Sequence, residues 1–431
     1  MQTNSDGIAL LHHVGGGNLG DDATLDTVRQ QIQRRWPNAH IAALSVNPSD
    51  TIKRHKLPSY PLRTTPWSFG PRGDGGGRSW RKSLLSLTRK HPTLLLLPRL
   101  AYKLAYRFPK ELGAEIRLLF ASKRLLSSFK LLVVCGGGQL TGKDGPWSFP
   151  YTLFKWVVLA KTAGVKCLFL NVGAGPLAHP LSRFFVRRAL ECADYVSFRD
   201  ESSKQLVSQI GFKGSGSVYP DCAYIRTVSD RDGEPSHVPS SPTVGIAPMP
   251  YWGPHGNRPQ RDQRCYQELI DNLAMFAIEL EKRSYSVQLF GTDIGFDPPA
   301  IAEMQRTIER YENALRPRYK PVESLEQLFA TMATFDYVVT CRFHGVVFAH
   351  LLNKPVLAIA HHPKVATLMH ELDLSNYCLE METLTPALLA NKFMSLAAET
   401  DRIKRNMATR LAKYQSLLTA QFDELFAFQA C

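Results

Sequence analysis

The sequence predicts an α/β fold of two doubly wound, Rossmann-like domains that face each other across a cleft. Short apolar runs alternate with helical patterns along most of the chain, which favours parallel sheets covered by helices on both faces. The 431 residues exceed what one ordinary hydrophobic core accommodates. Residues 229–243 are dense in Ser, Pro, Asp and Gly, and the same alternation restarts after them.

The first domain is predicted to span residues 1–228, with 229–243 as the linker to the second domain. Its apolar runs predict strands at 7–14, 39–46, 131–135, 166–172 and 194–198. The patterns between them predict helices at 22–35, 150–163, 180–192 and 200–210.

The second domain is predicted to span residues 244–400. Its strands are predicted at 243–248, 286–290, 336–341 and 355–360. Its helices are predicted at 263–283, 298–312, 323–333, 345–352 and 363–372. The last segment, 401–431, is predicted to be a C-terminal helix that could return to brace the first domain. In sheets of this kind, ligands bind outside the carboxyl ends of the strands.

Residues 50–128 interrupt the first domain and are predicted to form a basic helical insertion. From Arg78 to Lys130 there are thirteen Lys or Arg and two acids, so most of the net charge of +14 lies here. One hypothesis is a surface that lies on anionic lipid, because Leu and aromatic residues are interleaved with the charges. The alternative is a set of amphipathic helices packed on their own domain, with basic stems reaching water. A nucleic-acid partner is not favoured, since no recognised nucleic-acid module is visible.

The remaining composition indicates a protein of the reducing cytoplasm, with the insertion as a candidate contact to the inner membrane face. Arg, Lys and Pro interrupt every apolar segment, so no run has the length of a membrane span. The N-terminus enters a strand-like run directly, without a basic start or a cleavage site, so secretion is not expected. The eight cysteines are scattered, which predicts neither a disulfide framework nor a zinc site.

Three glycine-rich turns follow predicted strands of the first domain. They are "VGGGNLGDD" around residues 15–20, "CGGGQL" around 136–138 and "NVGAGP" around 173–175. Glycine permits positive φ angles and close approach of a ligand to the backbone, so turns at neighbouring strand ends are expected to border one crevice. The first turn lacks the Lys-Ser/Thr of a nucleotide P-loop. Asp21 or Asp22 is suitably placed to cap the following helix.

Two further motifs of the first domain are more simply structural. In "SFRDESS", Arg199 follows a strand, and an ion pair with Asp200 that holds the turn is slightly favoured over a ligand contact. In "VYPDCAY", Asp221 is interpreted as structural.

The second domain carries the most informative motif, "TCRFHG" at residues 340–345. If 336–341 is a strand, Arg342 and His344 leave its carboxyl end with a spacing of two and point to one side. A guanidinium offers a planar fork for carboxylate or phosphate, and a histidine transfers protons near neutral pH. Lys364 follows the next strand and is predicted to reach the same cleft. The alternative is a structurally satisfied Arg–His pair.

His361 and His362 are not expected to form a metal pair, because adjacent strand residues face opposite ways.

Together these motifs resemble the polysaccharide pyruvyl transferase family. The resemblance rests on "GGGNLGDDA", "GGGQL", "SFRDESS", "YPDCAY" and "CRFHGVVFAHLLNKPVLAIAHHPK", which run in the family's order from residue 14 to 364. The basic insertion is outside it. The resemblance implies two domains like those of the B-type glycosyltransferases. It also implies transfer of the enolpyruvyl group of phosphoenolpyruvate to two hydroxyls of one sugar, forming a pyruvate ketal and releasing phosphate.

The resemblance also implies roles for individual residues. His344 would be the catalytic acid/base and Arg342 would hold an anionic group of phosphoenolpyruvate, with Lys364 and Arg199 as helpers. The acceptor glycan, which is often polymeric or linked to a polyprenyl diphosphate, would lie against five further residues: Asn18, Gly20, Asp21, Gly137 and Gly138. Phosphoenolpyruvate is a co-substrate, and neither a cofactor nor a metal is demanded, because cationic side chains can neutralise the developing charge.

Two alternatives remain open at this point. The first is a nucleotide-sugar-dependent glycosyltransferase of the same two-domain fold. The second is a non-catalytic glycan-binding or membrane-scaffolding protein, against which the Arg342–His344 pair argues. The acceptor sugar, its hydroxyl pair and the stereochemistry of the ketal are not encoded in any motif that we recognise.

Overall fold

The structure is a computed structural model that describes residues 7–63, 108–226, 241–253, 262–312 and 315–426. Contacts divide the chain into two compact units, each built on one parallel sheet. The first unit comprises residues 1–16 and 38–218, and the second comprises residues 17–37 and 219–431.

The first unit contains a seven-stranded parallel sheet with the order β3-β2-β1-β4-β5-β6-β7. Its strands are Gly7–Leu11 (β1), His40–Ser45 (β2), Ser59–Pro61 (β3), Leu131–Cys135 (β4), Lys166–Val172 (β5), Tyr195–Phe198 (β6) and Ser217–Val218 (β7). Its helices are Pro48–His55 (α2), Phe108–Leu126 (α3), Phe149–Thr162 (α4), Pro180–Glu191 (α5) and Glu201–Gln209 (α6). The central strands β1 and β4 are buried at every position, which explains why they are continuous apolar runs rather than alternating ones.

The second unit contains a six-stranded parallel sheet with the order β10-β9-β8-β11-β12-β13. Its strands are Thr243–Ala247 (β8), Ser286–Leu289 (β9), Arg318–Tyr319 (β10), Tyr337–Thr340 (β11), Val356–Ala360 (β12) and Cys378–Glu380 (β13). Its helices are Leu19–Arg35 (α1), Gln263–Lys282 (α7), Pro298–Tyr311 (α8), Leu325–Ala333 (α9), Phe343–Leu351 (α10), Pro363–Glu371 (α11), Pro386–Ala398 (α12) and Thr400–Phe426 (α13). The corresponding strands of the two sheets therefore follow one order, with the first strand of each unit near the centre.

The grouping of α1 differs from the predicted domain boundary. The sequence assigned this helix to the first domain, but its contacts group it with the second unit. The indole Nε1 of Trp36 donates to the carbonyl of Phe426 at 2.6 Å, and Arg35 forms an ion pair with Asp423 at 2.6 Å. The C-terminal helix α13 thus packs on α1, the helix that the sequence assigned to the first domain. The predicted linker, 229–243, lies mostly outside the described residues.

The predicted insertion also begins later than expected. Residues from position 50 onward continue as α2 and then as the edge strand β3, which pairs in parallel with β2. Residues 64–107, which carry much of the basic segment, lie outside the described residues. Helix α3 is described and packs on its own unit, since Glu115 forms an ion pair with Lys155 of α4 at 2.8 Å. The edge strands β3, β7, β10 and β13 were not predicted, because two or three residues cannot show a strand period.

Candidate functional site

The candidate site lies in the second unit, where loops after three of its strands meet the start of α1. The loop after β9 pairs with the glycine turn: the amide of Leu19 donates to the carbonyl of Thr292, and the amide of Ile294 donates to the carbonyl of Gly17, each at 2.9 Å. Gly17 has a φ of +85°, and an added Cβ would lie 2.9 Å from the Ile294 side chain. The turn therefore needs glycine at this position.

Helix α1 is capped by Asn18, not by Asp21 or Asp22 as predicted. The Asn18 side-chain oxygen accepts from the amide of Gly20 at 3.0 Å, with Asn18 in an extended conformation. This is the usual geometry of an Asn N-cap. The two aspartates instead lie in the first turn of the helix, where a negative charge interacts favourably with the helix dipole.

Arg342 is held by two carboxylates of the loop after β9. Its Nε donates to Asp297 Oδ1 at 3.1 Å, its Nη2 contacts the same oxygen, and its Nη1 lies 3.7 Å from Asp293 Oδ2. Asp297 is fully buried, and its other oxygen accepts the amides of Thr292 and Asp293 at 3.0 Å. The charge that ends the apolar strand is therefore paired, as burial requires. Neither partner was identified in the sequence, although "FGTDIGFD" follows a strand just as "TCRFHG" does.

His344 does not lie on an extension of β11, as the spacing argument assumed. The strand ends at Thr340, Arg342 occupies the position before α10, and His344 lies in the first turn of that helix. Because His344 is in a helix, Arg342 and His344 do not follow the two-residue alternation of a strand. Their side chains therefore have different surroundings. Gly345 permits this tight start, since an added Cβ would lie 2.3 Å from Thr340 Oγ1.

The imidazole of His344 packs between α1 and the segment that begins at Asp221. A Cβ added to Gly20 would lie 2.0 Å from His344 Nδ1, so only glycine permits this approach. His344 Nε2 lies 3.9 Å from Asp221 Oδ2, while Asp221 Oδ1 caps the turn Cys222–Ile225 by accepting from the amide of Ala223 at 3.0 Å. Asp221 is thus structural, as predicted, and also faces the histidine.

Four aspartates and Lys364 create the electrostatic field of the site. Burial, together with Asp22, Asp293 and Asp221, raises the pKa of Asp21 to about 7, and Lys364 partly opposes this shift. Burial also raises the pKa of Asp293 despite the nearby Arg342 guanidinium. Two carboxyl groups of this site therefore hold protons at higher pH than an ordinary aspartate.

The two adjacent histidines that follow β12 have structural roles. His362 caps α11 by accepting from the amide of Lys364 at 3.3 Å. Burial and the positive charges of Lys364 and Arg342 lower the pKa of His361 to about 2, so it is neutral at physiological pH. Tyr251 donates to the His361 carbonyl at 2.8 Å. Within the part of the chain that the structure describes, no group of His, Cys, Asp or Glu is arranged to hold a metal ion.

In the first unit, the second and third glycine turns lie side by side. The amide of Gly173 donates to the carbonyl of Gly137 at 2.7 Å, which confirms that these two turns border one region. Gly137 has a φ of +66°, and an added Cβ would lie 3.1 Å from His12 Nε2. Gly138 has no atom within 4 Å of such a Cβ among the described residues. Of the first glycine turn, residues 17–20 fall in the second unit.

Arg199 forms the ion pair that the sequence favoured. Its Nε lies 3.3 Å from Asp200 Oδ2, and its guanidinium occupies the space that a side chain at Gly173 would fill. Burial raises the pKa of Asp200, but Arg199 and the groups of Ser202 and Ser203 outweigh it, so the net shift is downward. Arg199 thus lies in the first unit with Gly137 and Gly138, whereas Arg342, His344 and Lys364 lie in the second. Its predicted role in donor binding stays a prediction.

The described residues contain neither a disulfide bond nor a helix that could span a membrane. None of the seven described cysteines forms a disulfide. No helix among the residues described has both the length and the apolar character needed to cross a bilayer.

The two parallel sheets and their covering helices define a two-unit, Rossmann-like α/β protein. Residues 18–363 match the polysaccharide pyruvyl transferase family. The chain belongs to this family, as its motifs indicated. A search of curated proteins found no match.

Comparison with solved structures confirms the two-domain, Rossmann-like fold. MurG of Acinetobacter baumannii is 13% identical, with 98% of this chain and 99% of that chain covered and a TM-score of 0.51. Sucrose-phosphate synthase of Thermosynechococcus elongatus is 14% identical, with 98% of each chain covered and a TM-score of 0.54. The UDP-GlcNAc 2-epimerase of Methanocaldococcus jannaschii is 10% identical, with coverages of 91% and 92% and a TM-score of 0.52. At these identities the likeness concerns the fold alone.

Proposed function

We propose that this protein transfers the enolpyruvyl group of phosphoenolpyruvate to two hydroxyls of one sugar in a bacterial glycan, forming a pyruvate ketal. The observation that carries the proposal is the family match across residues 18–363, which includes the charged cluster around His344. The family supports pyruvyl transfer to polysaccharides in general. The identity of the donor and the ketal product are our proposal.

The proposed donor contains a carboxylate and a phosphate, so its binding requires cations. Arg342 and Lys364 supply them, and Lys364 Nζ lies over the Phe343 ring at 5.8 Å from its centroid. Arg342 Nη1 is the guanidinium nitrogen with the longer contact to its carboxylate, 3.7 Å from Asp293. We assign this nitrogen to the donor, because Nε and Nη2 are engaged by Asp297.

The carboxylates influence donor binding through their protons. An anion that enters beside Asp21 and Asp293 raises their pKa values further, so binding is coupled to proton uptake. Because the pKa of Asp21 is already raised to about 7, protonating this carboxyl requires little free energy near neutral pH. The protonated carboxyl then donates to an anion that a charged carboxylate would repel.

His344 is the proposed general acid/base, with Asp221 as its positioning residue. Protonation of the donor methylene makes the central carbon electrophilic, and a sugar hydroxyl adds to it as its proton is removed. The C–O bond to phosphate then breaks, and the second hydroxyl closes the ketal and loses its proton. Of the two hydroxyl protons, one balances the new methyl group and the other leaves with hydrogen phosphate. Asp221, 3.9 Å from Nε2, stabilises the imidazolium formed during these transfers.

The residues proposed for acceptor binding fall into two groups: Asn18, Gly20 and Asp21 belong to the second unit, and Gly137 and Gly138 belong to the first. Among the described residues, no atom fills the space next to Gly138, which supports a role in contacting a sugar. We retain a polyprenyl-diphosphate-linked intermediate as the proposed acceptor class.

Helix α3 supports the proposed contact with anionic lipid. Phe120 is 73% exposed and Ile116, one turn earlier, is 43% exposed. Lys123 and Arg124 lie in the last turn of the same helix. Exposed apolar and basic residues on one helix are typical of segments that lie in a membrane interface.

The test is a reaction with phosphoenolpyruvate and a panel of lipid-linked and aryl glycosides. We expect phosphate release only when an acceptor sugar is present, and a product heavier than the acceptor by pyruvate minus water. Thermal-shift measurements with UDP- and GDP-sugars provide the contrast. Stabilisation by nucleotide sugars alone, without phosphate release, would support the glycosyltransferase alternative and contradict the proposal.

A further inference from the structure

A polar cavity lies in the second unit, with a lining that does not include His344. Its volume is about 310 Å³, and its described lining consists of Gln31, Arg34, Ile225, Arg226, Leu351, Gln415 and Thr419. All seven residues belong to the second unit. The lining therefore combines two arginines, two amides and a hydroxyl with the apolar Ile225 and Leu351, and none of the described lining residues is acidic.

Arg226 is pre-oriented for a ligand. Its side chain is only 12% exposed and lies over the Phe329 ring, 5.3 Å from the centroid. Its Nη2 lies 3.8 Å from Glu326, whose side chain is 67% exposed. Its Nη1 is buried and has no hydrogen-bond partner among the described residues. A buried donor without a partner is costly, so an acceptor that reaches Nη1 is favoured.

The remaining lining groups extend this donor set. Arg34 lies in the last turn of α1. The Gln31 side-chain oxygen accepts from Arg35 Nη1 at 2.8 Å, so its amide NH₂ is the group left to donate. The Thr419 hydroxyl donates to the carbonyl of Gln415 at 2.7 Å, so the two guanidiniums and the Gln31 amide are the groups that match the terminal oxygens of a phosphate.

The cavity is separate from the proposed donor site, although three elements connect them. Helix α10 carries His344 in its first turn and Leu351 at its last residue, about 10 Å apart at 1.5 Å per residue. Helix α1 carries Gly20 and Gln31, about 17 Å apart on the same basis. The turn Cys222–Ile225 follows Asp221 and precedes Arg226. A ligand here is therefore additional to the ligands of the His344 site.

We propose that this cavity, named the Arg34–Arg226 pocket, binds a phosphate monoester of a small organic molecule. The two arginines and the amides hold the phosphate, and Ile225 and Leu351 contact the organic part. The volume is at the lower end of the range for small-molecule sites, roughly 300–1,000 Å³. The proposal does not depend on which reaction the His344 site catalyses.

Titration calorimetry with glycerol 3-phosphate at low ionic strength tests the pocket, with glycerol as the uncharged control. We expect Arg226→Gln and Arg34→Gln each to weaken binding at least tenfold, equivalent to about 1.4 kcal/mol. Arg34 is exposed, so its substitution does not threaten the fold. Arg405→Gln, an exposed change on α13 outside the pocket, should leave binding unchanged.

The Lys364→Gln variant separates this pocket from the His344 site. We expect the binding that depends on Arg34 and Arg226 to persist in it. Unchanged affinity in both arginine variants, or loss in Lys364→Gln instead, would overturn the proposal. Co-sedimentation with vesicles containing phosphatidic acid distinguishes a lipid headgroup from a dissolved phosphate monoester. Binding of glycerol 3-phosphate or of the phosphatidic acid vesicles supports the pocket if that binding requires Arg226. If the protein binds neither of them, the proposal is overturned.

Discussion

The first and second units share one strand order, yet the loops at their carboxyl strand ends have different chemistry. In the first unit, the loops at Gly137 and Gly173 contact each other through a backbone hydrogen bond, and Arg199 forms an ion pair with Asp200. In the second unit they carry Arg342, His344 and several buried carboxylates. The difference shows that the sheet supplies positions and that the loops supply reactivity.

Electrostatics separates the two units in the same way. Asp200 of the first unit has a lowered pKa, because Arg199 and nearby donors outweigh its burial. Asp21 of the second unit has a raised pKa, because burial and neighbouring carboxylates outweigh Lys364. One aspartate stabilises a turn, whereas the other holds a proton in the range where acid/base catalysis operates.

The largest effect is expected from substituting one histidine in each unit. His344→Gln should lower kcat by about 10²–10⁴-fold, the usual contribution of a general acid/base, while the melting temperature changes little. His13 of the first unit is half-buried and packs against Phe149, with ring centroids 3.3 Å apart, and desolvation lowers its pKa well below the ordinary value. His13→Gln should therefore lower the melting temperature and leave kcat within a few-fold.

Phosphate release and thermal unfolding measured on both variants decide this prediction. Equal losses of kcat in the two variants would contradict the difference between the units. Full activity in His344→Gln would remove the role assigned to His344.

An intermediate effect is expected from adding one methyl group in each unit. Gly20→Ala should lower kcat by roughly tenfold to a hundredfold, because its Cβ would displace the His344 ring and catalysis is sensitive to errors of about 1 Å. Gly113→Ala in α3 is the matched control, since nothing described lies within 4 Å of its Cβ. Alanine in that helix should stabilise the protein by about 0.5–1 kcal/mol and leave kcat unchanged.

Steady-state kinetics and denaturant unfolding test the glycine pair. Normal kcat in Gly20→Ala would show that the close approach of α1 to His344 is unimportant for turnover.

The smallest effect is expected in the pH dependence of stability, where the two aspartates should act with opposite signs. The folded state holds the Asp21 proton up to about pH 7, whereas the ordinary value is 3.8. This group therefore makes stability fall as the pH rises between about 4 and 7. Asp21→Asn should be more stable than wild type at pH 8, with the difference shrinking towards pH 4.

Asp200 should show the reverse. Because the pKa of Asp200 is lowered in the folded state, its charged carboxylate stabilises the fold at pH values above the ordinary pKa of an aspartate. This stabilisation is lost as the pH falls below that ordinary pKa. Asp200→Asn should be less stable than wild type at pH 7, and Asn retains the helix cap that Asp200 provides. Denaturant unfolding from pH 4 to 8 measures both variants, and the same sign in both would contradict the assignment.

The sequence by itself determined the fold class, most of the long elements and the family. Runs such as Leu131–Cys135 and Lys166–Val172 were predicted at their observed bounds, because a strand covered on both faces must be continuously apolar. The sequence also predicted that the motif at residues 340–345 is a candidate site, because charge after a buried strand requires a partner.

The tertiary structure decided which residues surround that charge. Asp297 and Asp293 pair with Arg342 across about fifty residues of sequence, and Gly20 approaches His344 from more than three hundred residues away. No local pattern encodes such contacts, since they depend on how helices and loops pack. Helix α1 likewise lies in the sequence between two strands of the first unit, and its packing against the turn Cys222–Ile225 and α13 groups it with the second.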